Sequence, residues 1–251
     1  MDTDSRTLTY FISDLHLGAS TMDNPLDYER RVVRFLHAIK PTAKRLYLLG
    51  DVLDYWYEYR TVVPRGFTRF FGALADLADS GVEVTWFIGN HDIWIFDYLP
   101  TEIGMRVVDG VEITEIDGRR FFLGHGDGVG KMSPGFRFIR SLFRNRFCQF
   151  LFSSIHPGLT IPLAHRWSAS SRGACAGPAR STGEAEPYVD FAREYLKTHP
   201  RVDYFIFGHR HILMDMEIAP ESKLVVLGDW IYHFSYAVWD GNELFLKKFE
   251  D

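Results

Sequence analysis

The chain has 251 residues, 46% of them apolar and 24% charged, which suits one large soluble domain with a well-filled core. Its formal net charge of -5 argues against bulk electrostatic binding to nucleic acid, which calls for a basic domain. Cys148 and Cys175 fit neither a zinc pattern nor a disulfide framework, and Met1-Asp2-Thr3-Asp4 is acidic where a signal peptide is basic, so a cytoplasmic protein is expected.

In chain order, residues 8–13 are rich in strand formers and end at Asp14. Residues 25–40 carry Leu26, Val32, Val33, Leu36 and Ile39 at helical spacing, with Pro25 in the first turn and Pro41 as the stop. Residues 46–49 form a short continuous apolar run, as buried parallel strands do. A second helix is expected over 67–79 and a third strand over 82–88, which makes an α/β pattern with a mixed sheet and helices outside it. Beyond Pro100 the spacing predicts strands at 107–115 and 119–123, a helix at 187–198, a strand at 204–207, and antiparallel strands at 224–227, 231–239 and 243–249.

Each early strand runs into a polar cluster: Asp14, then Gly50-Asp51, then Gly89-Asn90-His91-Asp92. Ligand sites in such sheets lie outside the carboxyl ends of the strands. The later strands deliver Gly124-His125-Gly126-Asp127 and Gly208-His209-Arg210-His211. Asp14, His16, Asp51, Asn90, His125, His209 and His211 together offer two carboxylates, one amide oxygen and four imidazoles. Borderline divalent ions (Mn²⁺, Fe²⁺, Zn²⁺, Co²⁺) accept that N/O mixture. One ion needs fewer ligands than these, so a pair of ions sharing Asp51 is expected; such pairs can clamp both the attacking and the leaving oxygen of an in-line displacement. Asp54 and Asp127 stand open as either ligands or hydrogen-bonding supports. The remaining histidines, His37, His156, His165, His199 and His233, read as ordinary core or surface residues.

Asp14-x-His16, Gly50-Asp51-x-x-Asp54, Gly89-Asn90-His91-Asp92, Gly124-His125 and Gly208-His209-x-His211 resemble, complete and in order, the signature of the calcineurin-like metallophosphoesterases. The resemblance implies a four-layer α/β/β/α sandwich and two divalent ions, expected to be Mn²⁺. It assigns Asp14, His16, Asp51 and His211 to one ion, and Asp51, Asn90, His125 and His209 to the other. A hydroxide between the ions would be the nucleophile, with Asp51 and Asn90 holding the catalytic centre. His91 would act on the phosphoryl or leaving oxygen, and Asp92 would orient His91.

Residues 131–183 break the composition and read as a helical insertion into a domain formed by 1–130 and 184–251. Between Lys131 and Glu184 there is no acidic residue, against Lys131, Arg137, Arg140, Arg144, Arg146, Arg166, Arg172 and Arg180. Phe136, Ile139, Phe143, Phe147 and Phe150 recur at helical spacing; Pro157, Gly158 and Pro162 are expected to break the helix, and 168–183 to be loosely structured. One reading is a hairpin that packs its stripe on the core with solvated arginines. The other is a lid, apolar within for acyl chains and basic without for an anionic membrane surface. Phe136, Ile139, Arg140, Phe143, Arg166 and Arg172 are its candidate substrate contacts.

An insertion at this point, with Leu15-His16-Leu17, Asp54-Tyr55-Trp56 and the aromatic run 94–98, is similar to the subgroup of UDP-2,3-diacylglucosamine diphosphatases. That resemblance implies hydrolysis at the α-phosphorus, giving UMP and 2,3-diacylglucosamine 1-phosphate, in lipid A synthesis at the cytosolic membrane face. It implies no nucleic acid and no obligate protein partner. This chain departs from the best-known members in carrying His91 where they carry Arg. Another nucleotide or lipid diphosphate is the alternative substrate, and a metal-free membrane- or partner-binding scaffold is the alternative of a different class.

Overall fold

The computed structural model of the chain describes residues 6–20, 22–130, 133–173 and 179–250, with the backbone alone at 136, 165 and 167–173. Strands β1 (Leu8–Ile12), β2 (Ala43–Leu49) and β3 (Glu83–Phe87) pair in parallel and are linked by α1 (Pro25–Ile39) and α2 (Thr68–Asp79). Pro25 opens α1 behind Asn24, whose side chain accepts the Asp27 amide. Helix α2 has no side-chain cap of its own; Glu29 of α1 accepts the amides of Arg69 and Phe70 at 3.0 and 3.1 Å, which ties the two helices together.

Alternation along the strands sorts the core into layers. Tyr10, Ile12, Leu46, Leu48, Val84 and Trp86 pack under α1 and α2 with Val32, Phe35, Leu36, Phe70 and Leu74. Phe11, Tyr47, Leu49 and Phe87 point the other way, into a second cluster with Phe121, Leu123, Ile206 and Val225. Those partners belong to a second sheet in which β6 (Arg119–Gly124), β7 (Tyr204–Phe207) and β9 (Ser222–Leu227) are parallel, flanked by β5 (Val111–Ile116) beside β6 and β8 (Leu213–Ala219) beside β9. Its outer face packs Phe122, Phe205 and Phe207 against Tyr188, Val189 and Ala192 of α6 (Pro187–Thr198). Helix, sheet, sheet and helix therefore stack as four layers.

Several segments differ from the sequence expectation. The single strand expected over 107–115 is two: β4 (Arg106–Val108) pairs with β3 in the first sheet, and after a turn at Asp109-Gly110 β5 (Val111–Ile116) pairs with β6 in the second. Strand β8 (Leu213–Ala219), antiparallel to β9, lies outside the sequence expectation: Asp215 and Glu217 interrupt its apolar residues, and Ile218 is its one β-branched residue. Residues 231–234 turn rather than extend: Asp229 Oδ1 accepts the amides of Ile231 and Tyr232 at 2.8 and 2.6 Å, and β10 (Ser235–Trp239) begins only after Phe234, at φ 50°. β10 and β11 (Leu244–Lys248) return antiparallel to the β1 edge of the first sheet.

The segment between β6 and α6 forms α3 (Pro134–Arg144), α4 (Arg146–Ser153) and α5 (Pro157–Gly173). Asn145 restarts the helix by accepting the amides of Phe147 and Cys148, and this shifts the phase of the apolar stripe. Phe143 and Phe152 pack against the core, whereas Phe147 and Phe150 are 67% and 66% exposed. Pro157 opens α5 rather than breaking a helix, Pro162 lies inside it, and helical backbone continues through Gly173, where a loose segment was expected. Among the described residues no helix is long and apolar enough to cross a membrane.

Candidate metal centre

The loops after β1, β2, β3, β6 and β7 bring all seven candidate ligands to one edge of the sandwich. Asp14, His16, Asp51, His209 and His211 all sit at positive φ, between 44 and 65°. That conformation costs a side-chain-bearing residue roughly 1–2 kcal/mol and persists only where surrounding structure enforces it. The glycines of the motifs serve close approach: a Cβ on Gly89 would stand 2.3 Å from the Asp51 amide nitrogen, and one on Gly208 would stand 2.4 Å from Asp14 Oδ2.

Two groups of donors share this edge. In the first, His211 Nε2 lies 3.3 Å from Asp14 Oδ1 and 3.2 Å from His16 Nε2. In the second, His125 Nε2 lies 3.2 Å from Asp51 Oδ2 and 3.2 Å from Asn90 Oδ1, and its ring centroid is 5.1 Å from that of His209. Asp51 Oδ2 joins them, standing 3.8 Å from His16 Nε2. Asp51 with His125 and His209, and Asp14 with His16 and His211, each gather three ligand atoms within 4.8 Å.

These residues fit divalent ions. Two imidazole nitrogens 3.2 Å apart cannot both present lone pairs without a cation or a proton between them. The buried Asp14 Oδ1 has no hydrogen-bond partner among the described residues, which an anionic oxygen ordinarily requires. His125 donates from Nδ1 to the Leu49 carbonyl at 2.8 Å, so its Nε2 faces the centre. Burial pushes His16 down to about 3, and burial together with the charge on His125 pushes His209 down to about 4, so both offer neutral imidazole. Burial would raise Asp51, but His125 and His91 outweigh it and hold the carboxyl well below the usual range.

The supports are distributed differently from the expectation. Asp92, expected to orient His91, accepts the amides of Gly89 and Val52 at 2.7 and 2.9 Å, so it staples the Asn90 loop to the Asp51 loop. Burial and the nearby charge of Asp51 raise Asp92 to about 6. Asp54 takes the place beside His91: His91 Nδ1 donates to the Asp54 carbonyl at 3.1 Å, and Asp54 Oδ1 lies 3.6 Å from that nitrogen and 3.4 Å from His16 Nδ1. His91 Nε2 then faces Asp51 Oδ2 at 4.0 Å. Asp127 pairs with Arg140 at 2.9 Å and so belongs to the insertion's anchorage.

Sequence reasoning missed Asp229. This fully buried carboxylate reaches His211 Nδ1 at 3.5 Å and His233 Nδ1 at 3.0 Å. A signal was present: residues 224–227 are a continuous apolar run followed by Gly228-Asp229, the same strand–Gly–Asp form as at Asp51.

Helices α3 to α5 are seated on the loops that carry the candidate centre. Trp94 Nε1 donates to the Phe143 carbonyl at 2.8 Å, Tyr57 donates to that of Gln149 at 2.7 Å, and Tyr59 bonds Thr160 at 2.6 Å. Trp94 also packs on Phe143 and Phe152, with centroids at 5.3 and 4.9 Å. Ile139 and Arg166 are exposed, Arg140 is committed to Asp127, and the side chains of Phe136 and Arg172 lie outside the described residues.

The sequence model of the calcineurin-like phosphoesterases matches residues 8–213. The chain is 43% identical over 262 aligned residues to the UDP-2,3-diacylglucosamine hydrolase of Porphyromonas gingivalis, covering 98% of this chain and 99% of that protein. It is 29% identical over 251 residues to the protein of the same name from Hahella chejuensis, covering 97% and 98%. Among solved structures, a dimetal phosphatase from Danio rerio aligns over 97% of this chain and 96% of its own, with a TM-score of 0.47 and 15% identity.

Proposed function

Because this chain belongs to the calcineurin-like phosphoesterase family, we propose that it hydrolyses the pyrophosphate bond of UDP-2,3-diacylglucosamine, releasing UMP and 2,3-diacylglucosamine 1-phosphate for lipid A synthesis. The observation that carries the substrate is the 43% identity with a hydrolase of that name along 98% of the chain. The oxygen of water forms the new P–O bond, the bridging P–O bond breaks, and both products leave as phosphomonoesters.

Asp14, His16, Asp51 and His211 would hold one divalent ion, and Asp51, Asn90, His125 and His209 the other, with Mn²⁺ as the proposed metal. Bound ions of this kind supply Lewis acidity, polarising phosphoryl oxygens and lowering the pKa of water. The chain's own contribution is to orient and to move protons. His91, fixed through Nδ1 by the Asp54 carbonyl, would present Nε2 to the phosphoryl or leaving oxygen, donating there when the ring carries both protons.

Helices α3 to α5 would serve as the lid for the acyl chains, its inner side lined by Phe143 and Phe152. Phe147, Phe150 and Leu159 are 67%, 66% and 69% exposed on the same helices as the exposed Arg137, Arg146 and Arg166. That pairing of apolar and cationic surface supports peripheral docking on the anionic cytosolic face of a membrane.

Incubation of Mn²⁺-loaded protein with UDP-2,3-diacylglucosamine, with acyl-free UDP-glucosamine alongside and chelated protein as control, tests the reading. UMP from the acylated substrate alone is expected. No UMP from either substrate, with hydrolysis of a different lipid or nucleotide diphosphate, would overturn the substrate.

A further inference from the structure

One face of α3 carries Arg137, Arg140, Ser141 and Arg144 in a single stripe along the helix, and Asn145, the cap of α4, follows directly. They line a cavity of about 460 Å³. Like charges three and four residues apart on a helix repel, so such a stripe needs compensation. Two core acids supply part of it: Arg140 pairs with Asp127 at 2.9 Å, and Arg144 pairs with Asp109 through Nη1. The guanidinium of Arg137 has no such acid among the described residues. Arg144 Nε and Nη2 are buried without a hydrogen-bond partner among the described residues, and Nη2 reaches Asp127 only at 3.9 Å. Three guanidinium groups thus line one cavity whose lining holds no carboxylate, and two buried Arg144 donors are unmet among the described residues.

We propose that this cavity binds a phosphomonoester dianion. Guanidinium groups match phosphoryl oxygens in paired N–H···O geometry, and three of them converging from successive helical turns suit three terminal oxygens better than the two of a carboxylate. Ser141 and Asn145 add a hydroxyl and an amide at the rim. The phosphoryl group more than offsets the single excess positive charge and gives Arg144 the acceptors it lacks. Arg140 lies over the loop that carries His125, so close that a Cβ on Gly128 would be 2.9 Å from its Nη2. Occupancy therefore bears on the loop that carries a metal ligand. The stripe and its cavity are independent of which substrate the centre hydrolyses.

Arginine-selective modification by phenylglyoxal, read peptide by peptide by mass spectrometry on the full-length metal-loaded protein, tests it. The probes are inorganic phosphate, UMP and dihexanoyl phosphatidic acid, with dihexanoyl phosphatidylcholine as the zwitterionic control. Arg137 and Arg144 are expected to be protected at least about fivefold at several-fold excess over Kd, while Arg146 and Arg166 keep their rates. Arg137→Ala, at an exposed position, should raise the concentration needed to protect Arg144 by about tenfold without altering the thermal midpoint. Protection by phosphate and UMP identifies a soluble phosphomonoester, and protection by phosphatidic acid alone identifies a lipid headgroup; either supports the site. Equal protection of all four arginines, or none with any probe, overturns it.

Discussion

The Asp229 carboxylate lies 3.5 Å from Nδ1 of His211, on the side of the ring opposite the Nε2 that faces Asp14 Oδ1 at 3.3 Å. Burial would raise this carboxyl, yet hydrogen bonds from His211 and the Tyr232 amide hold it at about 2. An outer carboxylate of this kind fixes the tautomer and aim of a ligating imidazole. Asp229→Ala should therefore weaken metal binding about 10- to 100-fold, with Asp229→Asn recovering part of the loss. Competition titration against a chromophoric chelator reads this directly. Unchanged metal affinity accompanied by a lowered Tm would reduce Asp229 to a support for the turn at 231–234.

Asp51 is the proposed shared ligand, with Oδ2 3.8 Å from His16 Nε2 and 3.2 Å from His125 Nε2. Asp51→Ala should abolish turnover and lower the bound metal from two ions per chain, measured by elemental analysis of the purified protein. Wild-type activity in the variant would refute a shared-carboxylate centre.

His91 is held by the Asp54 carbonyl rather than by Asp92. If its Nε2 serves the transition state, His91→Ala should reduce kcat by roughly 10²-fold with little change in KM. A change confined to KM would mean that it binds substrate equally in ground and transition states.

The tethers from Trp94 and Tyr57 to helix-carbonyl oxygens of the insertion should hold it closed. Each such bond contributes about 1 kcal/mol, so a Tyr57→Phe, Trp94→Phe double variant should speed tryptic cleavage within 137–166 by roughly tenfold or more. Equal digestion rates would show that aromatic packing alone seats these helices.

Asp203 governs part of the acid stability. Burial opposes its ionisation, but the Arg120 amide at 2.8 Å and Arg201 at 2.6 Å prevail and lower its pKa. A carboxyl with a depressed folded-state pKa adds stability above its unfolded value and loses it as pH falls through the folded one. Asp203→Asn should cost about 1 kcal/mol near neutrality, discounted for its half-exposed arginine partners. The deficit should vanish well below the ordinary carboxylate range, as chemical denaturation at the two pH values would record. A deficit that persists in acid would place the effect in shape rather than charge.

The local sequence determined the alternation of strands and helices and the positions of Asp14, Asp51, Asn90, His125 and His209, because each follows directly on an apolar strand run. Parallel strands of stacked sheets end on one edge, so residues at strand ends are gathered by topology without further instruction. The tertiary structure alone decided which residues stand behind those ligands. Asp229 follows the expected strand at 224–227, yet only the pairing order of β7 and β9 brings it behind His211, and Asp54 displaces Asp92 beside His91 because Asp92 is taken up by amides of two different loops. The acid-free insertion finds its counter-charges in Asp109 and Asp127, outside its own segment. Hydrophobic periodicity records which face of an element is buried; it carries no record of which distant side chain will meet it, since that depends on sheet order and on the turn that moves the chain from one sheet to the other at Asp109-Gly110.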